Sequence, residues 1–259
     1  MGSMKKWAMI RVESEREEWI RARLSSPDLE EDSEEWQLLE KEYDDYQQLI
    51  EDEAYNEYEE QKWLEENPHT TIFDTSISLL KEIEEEGKIH KNETFIKMQI
   101  SYSITIMESC LSEMIKSVVA SHEIYMSNAI KNIDELKGKN IPLSDLLNKQ
   151  NTPEKYVQEY LSGLLYHKIS KIFEVYKAIL QPGKRIHVDM SDVIKLTRRR
   201  HDIVHRNGKT VNGDAILFEY KDLESTFSIV KRFLISMKEI ISDAIEYHEN
   251  EQKKIIDDF

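Results

Sequence analysis

The run from Asn92 to about Asn132 constrains the fold more than any other part of the chain. Phe95, Ile96, Ile100, Ile104, Met107, Leu111, Met114, Ile115 and Val118 recur there at helix-compatible steps, a spacing that brings apolar side chains onto one face of an α-helix. Such a stripe must be covered by other helices with apolar faces of their own. The chain supplies several. Asp74 to Glu86 reads as a short helix with Ile77, Leu80 and Ile83 on one face and Gly87 as its stop. Residues 153–180 read as one or two helices, with Pro153 at the first helical position after Thr152 and a break near Gly163. A shorter helix is expected near Leu143–Lys149. Asp189 to Arg206 carries Val193, Leu196, Ile203 and Val204, and Gly208 suits a left-handed residue just past its end. Asp222 to Lys253 carries Leu223, Phe227, Val230, Phe233, Leu234, Met237 and Ile241. Only 7 glycines and 5 prolines occur in 259 residues, too few for the many tight turns of an all-β protein. An all-α helical bundle is expected, with Asn212-Gly213 as a tight turn or short hairpin.

A different segment precedes this bundle. Trp7, Ile10, Trp19, Ile20 and Leu24 pattern a helix over residues 5–24, and Ser25-Ser-Pro-Asp interrupts it. Asp32 or Ser33 caps a second helix that runs to about Glu66, where Asn67-Pro68 stops it. Trp36, Leu39, Tyr43, Tyr46, Ile50 and Trp63 mark its apolar side. Together they read as an acidic helical hairpin arm over 4–66. Residues 67–90 then read as a connecting helix or linker, and 91–254 as the main helical domain.

Charge separates the two parts. The formal net charge is −16. Residues 1–66 hold 22 acids against 8 bases, a net of −14, while residues 184–209 hold 8 bases against 3 acids, a net of +5. Global acidity argues against a nucleic-acid partner, but this local basic patch removes much of that objection. The arm, in turn, suits a basic regulatory protein partner or a role in covering the patch. No run approaches 18 apolar residues, so no membrane span is expected. The single cysteine, Cys110, lies in the apolar helical run. It reads as a core residue, and its isolation fits a reducing, cytoplasmic setting.

The basic patch contains Thr197-Arg-Arg-Arg-His-Asp-Ile-Val-His-Arg-Asn-Gly208. Arg200 and His205 bring together a residue that stabilises phosphate charge and one that moves protons near neutral pH. His205 lies near a helix C-terminus, where the helix dipole favours positive charge. His201, four residues earlier, shares a face with His205 and is read as orienting phosphate or the catalytic pair. Arg198, Arg199, Arg206 and Lys209 are candidate RNA-phosphate contacts. Asn207 is a helix terminator and supporting residue, and Glu108 reads either as one half of a simple structural ion pair or as an acid that reaches the site from the long helix and orients an arginine. The two histidines could begin a metal site, but no nearby acid completes a ligand set, so no metal or other cofactor is expected; with no phosphate-binding loop, no G-x-G-x-x-G and no G-x-S-x-G turn, nucleotide hydrolysis and esterase chemistry have no support. On an ideal helix, residues five apart differ in direction by about 140°. Arg200 and His205 therefore meet only through a local distortion or across two copies of the chain.

Arg200-His201-Asp202-Ile203-Val204-His205 resembles the signature of the HEPN superfamily: arginine, then asparagine, histidine or aspartate, then three residues and histidine. The longer run Arg199–Gly208 is similar to RiboL-PSP-type and related bacterial HEPN domains, as is the long upstream helix bearing Met107-Glu108-Ser109. The resemblance implies a HEPN-like helical bundle and a homodimer whose two motifs face each other. Its implied activity is metal-independent endoribonuclease cleavage, in which the ribose 2′-OH attacks the adjacent phosphate, and its implied setting is a bacterial toxin or antiviral defence effector. Other members are non-catalytic RNA- or nucleotide-binding modules. A third reading is an interaction protein or antitoxin-like partner acting through the acidic arm.

Overall fold

The computed structural model describes residues 2–141 and 152–257, and among them the chain is all-α, with ten helices and no strand. Two compact units divide it, Met1–Lys62 and Trp63–Phe259. In the first unit, α1 (Gly2–Arg21) lies antiparallel to the early part of α2 (Glu34–Glu66). Ile20, Trp36 and Leu39 form a small core flanked by Trp19 and Leu24. Trp19 meets Tyr43 edge-on at 5.4 Å, and Arg16 reaches Glu40 at 2.8 Å. The expected cap is present, since the Ser33 hydroxyl accepts from the Trp36 N–H at 3.2 Å. The Ser25 N–H and hydroxyl both donate to Glu35, at 2.6 Å each, fixing the turn between the helices.

The second unit contains α3 (His69–Ile89), α4 (Glu93–Ser121), α5 (Glu123–Asn132), α6 (Asp134–Lys137), α7 (Pro153–Ser162), α8 (Ile169–Leu180), α9 (Ser191–Arg206) and α10 (Tyr220–Asp257). Helix α4 is its centre and packs on α3, α5, α7, α9 and α10. Ile100, Ile104, Met107, Leu111 and Met114 are fully buried, each burial contributing about 1.5–3 kcal/mol. Cys110 is buried among them, and burial pushes its thiol up to about 12, which keeps it protonated and inert. The Tyr176 hydroxyl, also buried, donates to the Leu111 carbonyl at 2.5 Å and ties α8 to α4. Among the described residues no helix is long and apolar enough to cross a membrane.

Three sequence expectations need correction. The single helix expected over 92–132 is broken at His122, which is extended at φ −139° and ψ 114°. Its ring bonds back to the Val118 carbonyl at 3.2 Å, while its own carbonyl accepts from Tyr125 and so starts α5. The short helix at 74–86 is longer at both ends, and Gly87 lies inside it. A Cβ there would come within 2.9 Å of Leu223 and 3.0 Å of Gln99, so the glycine permits a close approach to neighbouring helices. The segment 67–90, read as a connector, belongs to the main core through Ile72, Phe73 and Leu80. At the end of α9 Gly208 takes the left-handed conformation expected of it, φ 77°, and Asn207 before it is left-handed as well, φ 52°. The helix expected at 143–149 lies outside the described residues. Elsewhere, Thr152 caps α7 ahead of Pro153, Gly163 ends it, and Gly213, φ 90°, turns a short loop closed by the Lys209–Ala215 bridge.

His69, in the first turn of α3, shares a hydrogen bond of 3.0 Å with the Ser242 hydroxyl on α10. Burial, aided by Lys238 and His122, lowers its pKa from 6.5 to about 4. As pH falls, the unfolded chain therefore binds this proton before the folded one does. The resulting stability is complete above pH 6.5 and is lost on the way down to about pH 4. Urea midpoints measured across this window should fall more steeply for the wild type than for His69→Gln. Equal slopes would show that His69 is not a source of the acid sensitivity.

Candidate functional site

Helix α9 is amphipathic. Val193, Leu196 and Thr197 are buried against the core, while Arg198, His201, Val204 and His205 are exposed. It crosses α4 in the antiparallel sense. Glu108 on α4 lies in the electrostatic field of Arg200, and Lys97, about three turns earlier on α4, lies over Gly208, where an added Cβ would come within 2.8 Å of the lysine chain. The end of α9 is held by its backbone: the Gly208 N–H donates to the Asp202 carbonyl at 2.9 Å. Asn207 thus acts as the helix terminator expected of it.

Arg200 and His205 sit on an uninterrupted α-helix, so no local distortion joins them. Arg200 is half-buried on the α4 side, and His205 is exposed. What the helix does bring together is His201 and His205, whose rings lie 4.5 Å apart at a tilt of 43°. Two exposed imidazoles thus share one face, with the Arg200 guanidinium set off to the side.

Glu108 is half-buried, and desolvation raises its pKa against the lowering influence of Arg200 and His167. Its Oε1 and the Nε of Arg200 are both buried without a hydrogen-bond partner. The acid therefore acts on the arginine through charge, and the two form no ion pair with each other. An unsatisfied buried donor beside an unsatisfied buried acceptor is costly, and such groups call for an explanation.

The four candidate phosphate contacts differ. Arg199 pairs with Asp222 at 2.9 Å and lies over the Phe218 ring, and Arg206 pairs with Asp202 at 2.5 Å. Both are half-buried; Arg199 ties α9 to α10, whereas the Arg206 pair lies within α9. Arg198 and Lys209 are exposed, and among the described residues neither has an ion-pair partner. Among these residues no group of three or more His, Cys, Asp or Glu side chains is placed to hold a metal ion.

Sequence reasoning did not single out His167, Lys168 and Lys171. They come to the site from the turn after α7 and the first turn of α8, next to Arg198 and His201. The available signal was local: two basic residues and a histidine crowd the start of a helix just after the Gly163 break.

A second exposed feature adjoins this one. On α4, Met98, Tyr102, Thr105 and Ser109 are exposed at steps of four, three and four residues, the spacing of a helix–helix seam. Met98 is 62% exposed and Tyr102 50%, and Val204 on α9 is also 50% exposed. Comparisons with known proteins return nothing: no family model, no curated protein and no solved structure matches the chain.

Proposed function

We propose that the protein is a metal-independent endoribonuclease of HEPN type that works as a homodimer in the cytoplasm, in a bacterial toxin or antiviral defence role. The observation that carries the reading is the exposed His201–His205 pair on α9, flanked by Arg200 and Arg198 in the one strongly basic stretch of an acidic chain. The resemblance of Arg200–His205 to the HEPN signature supplies the reaction class and the biological setting.

In the proposed reaction an imidazole takes the proton from a ribose 2′-OH. The 2′ oxygen attacks the adjacent phosphorus and the bond to the 5′ oxygen breaks. A protonated imidazole supplies the proton that the leaving 5′ oxygen requires. Arg200 stabilises the charge on the five-coordinate phosphate, and Glu108 holds the guanidinium by charge from the α4 side. The products are a 2′,3′-cyclic phosphate and a 5′-hydroxyl.

The angular separation of Arg200 and His205 favours a shared site between two copies. The exposed Met98, Tyr102 and Val204 offer apolar area for that contact. The full chain should cleave single-stranded RNA in the presence of EDTA and leave cyclic-phosphate ends, read by end-labelling and mass spectrometry. Strict dependence on added Mg²⁺, or 5′-phosphate products, would replace this mechanism with hydrolysis by an activated water. RNA binding without cleavage under all conditions would favour the non-catalytic HEPN module.

A further inference from the structure

Between the start of α8 and the middle of α9 lies an open cleft of about 480 Å³. Its lining includes His167, Lys168, Lys171, Thr197, Arg198 and His201, and among the described residues no carboxylate lines it. Five cationic or imidazole side chains thus face one concavity in a chain of net charge −16. Lys171 shares its charge with Glu135 at 3.0 Å. Lys168 and Arg198 are exposed, and among the described residues neither has an ion-pair partner. A concave, one-sign lining focuses potential on an anion more strongly than scattered surface charges do.

The backbone adds to the same field. Helix α8 is 12 residues long, and its N-cap, Lys168, makes no side-chain cap. Residues of its first turn line the cleft, where free N–H groups and the positive end of the helix dipole favour a phosphate. The volume lies in the range of small-ligand sites. Yet the rim is exposed at Lys168, Arg198 and His201. His201 in turn lies 4.5 Å, ring to ring, from exposed His205, so a ligand in the cleft can continue across the imidazole pair.

We propose that this cleft is a phosphate subsite that holds the RNA chain next to the scissile bond, with Lys168, Arg198 and the start of α8 as its contacts. The identity of the chain as RNA rests on the ribonuclease reading; the affinity of the cleft for phosphate does not. A strand is favoured over a free nucleotide because the cleft is open and exposed His201 in its lining adjoins exposed His205.

The test uses the full-length protein and a fluorescent 2′-O-methyl RNA oligonucleotide, which cannot be cleaved through its 2′ oxygen. The Lys168→Glu/Arg198→Glu double variant should bind it at least about tenfold more weakly at 0.15 M salt. The slope of log K against log salt should shrink by about 0.7 for each phosphate that the variant no longer neutralises. Lys168→Ala, a milder change at an exposed position, should shift both quantities in the same direction, and thermal melts should match the wild type. On cleavable RNA the subsite predicts a raised KM with little change in kcat.

The outcomes separate the two ideas. Cleavage by the wild type with unchanged oligonucleotide binding in both variants overturns the subsite and leaves the nuclease. Oligonucleotide binding that depends on Lys168 and Arg198, without any cleavage by the wild type, keeps the subsite and overturns the nuclease. Competition by adenosine 5′-monophosphate as strong as that of the oligonucleotide overturns the strand and assigns the cleft to a single nucleotide. No binding of either ligand overturns the subsite altogether.

Discussion

Replacing His205 with alanine should lower RNA cleavage by about 10²–10⁴-fold, the usual worth of a positioned general acid or base. Replacing Arg200 should cost about 10²–10³-fold, the loss typical of one donor that stabilises developing negative charge. His205 is exposed and its replacement removes little packing, so its variant should melt at the wild-type temperature. Arg200 is a different case. It is half-buried beside Glu108, and its removal leaves a desolvated carboxylate without the charge that holds it down. Some stability should be lost in Arg200→Ala, and Arg200→Lys, which keeps the charge but not the planar fork, should recover stability without recovering full activity. Initial rates on a defined RNA, together with melting curves, check both statements. Full activity in either purified variant would remove the proposed chemistry.

The parts of the fold that were legible in the sequence are those set by local rules. Ser33, Thr152-Pro153 and Gly163 each act within a few residues, through one hydrogen bond or one backbone preference, and each marks the helix boundary it was read to mark. His122 breaks the long helix with neither proline nor glycine; its signal is a bond to the Val118 carbonyl, which periodicity does not reveal. Gly87 carries the composition of a helix stop, but the approach of Leu223 and Gln99 from distant helices explains it instead. In the site, the divergence of Arg200 and His205 follows from helix geometry alone and was readable in advance. The fate of the arginines was not. Arg199 is engaged by Asp222 on another helix, and Arg206 by its own neighbour Asp202, while Arg198, in the same basic run, stays exposed. The cleft joins the start of α8 to α9 across a long loop, so its lining emerges only when both helices are packed.

Mixing two inactive proteins should restore activity. With Arg200 turned toward α4 and His205 facing outward on a regular helix, one chain offers either group to a given phosphate more readily than both. In a two-fold dimer each site then takes Arg200 from one protomer and His205 from the other. A heterodimer of Arg200→Ala and His205→Ala chains has one site with both groups intact and one with neither. After equimolar exchange half the dimers are mixed, so about a quarter of the wild-type sites should return. If instead each site drew both groups from one chain, every site in the mixture would lack one of them and no activity would return. The exposed seam on α4 supplies the control. Charge substitution at Tyr102, 50% exposed, in both inactive chains should weaken subunit exchange and abolish the rescue. The dimer-to-monomer shift is measured by sedimentation, and cleavage in the mixed sample is followed over the time of exchange. Rescue that tracks dimer content places the active site at the two-fold axis. Absence of rescue in a mixture shown by sedimentation and mass tagging to contain heterodimers would place Arg200 and His205 in separate roles within one chain.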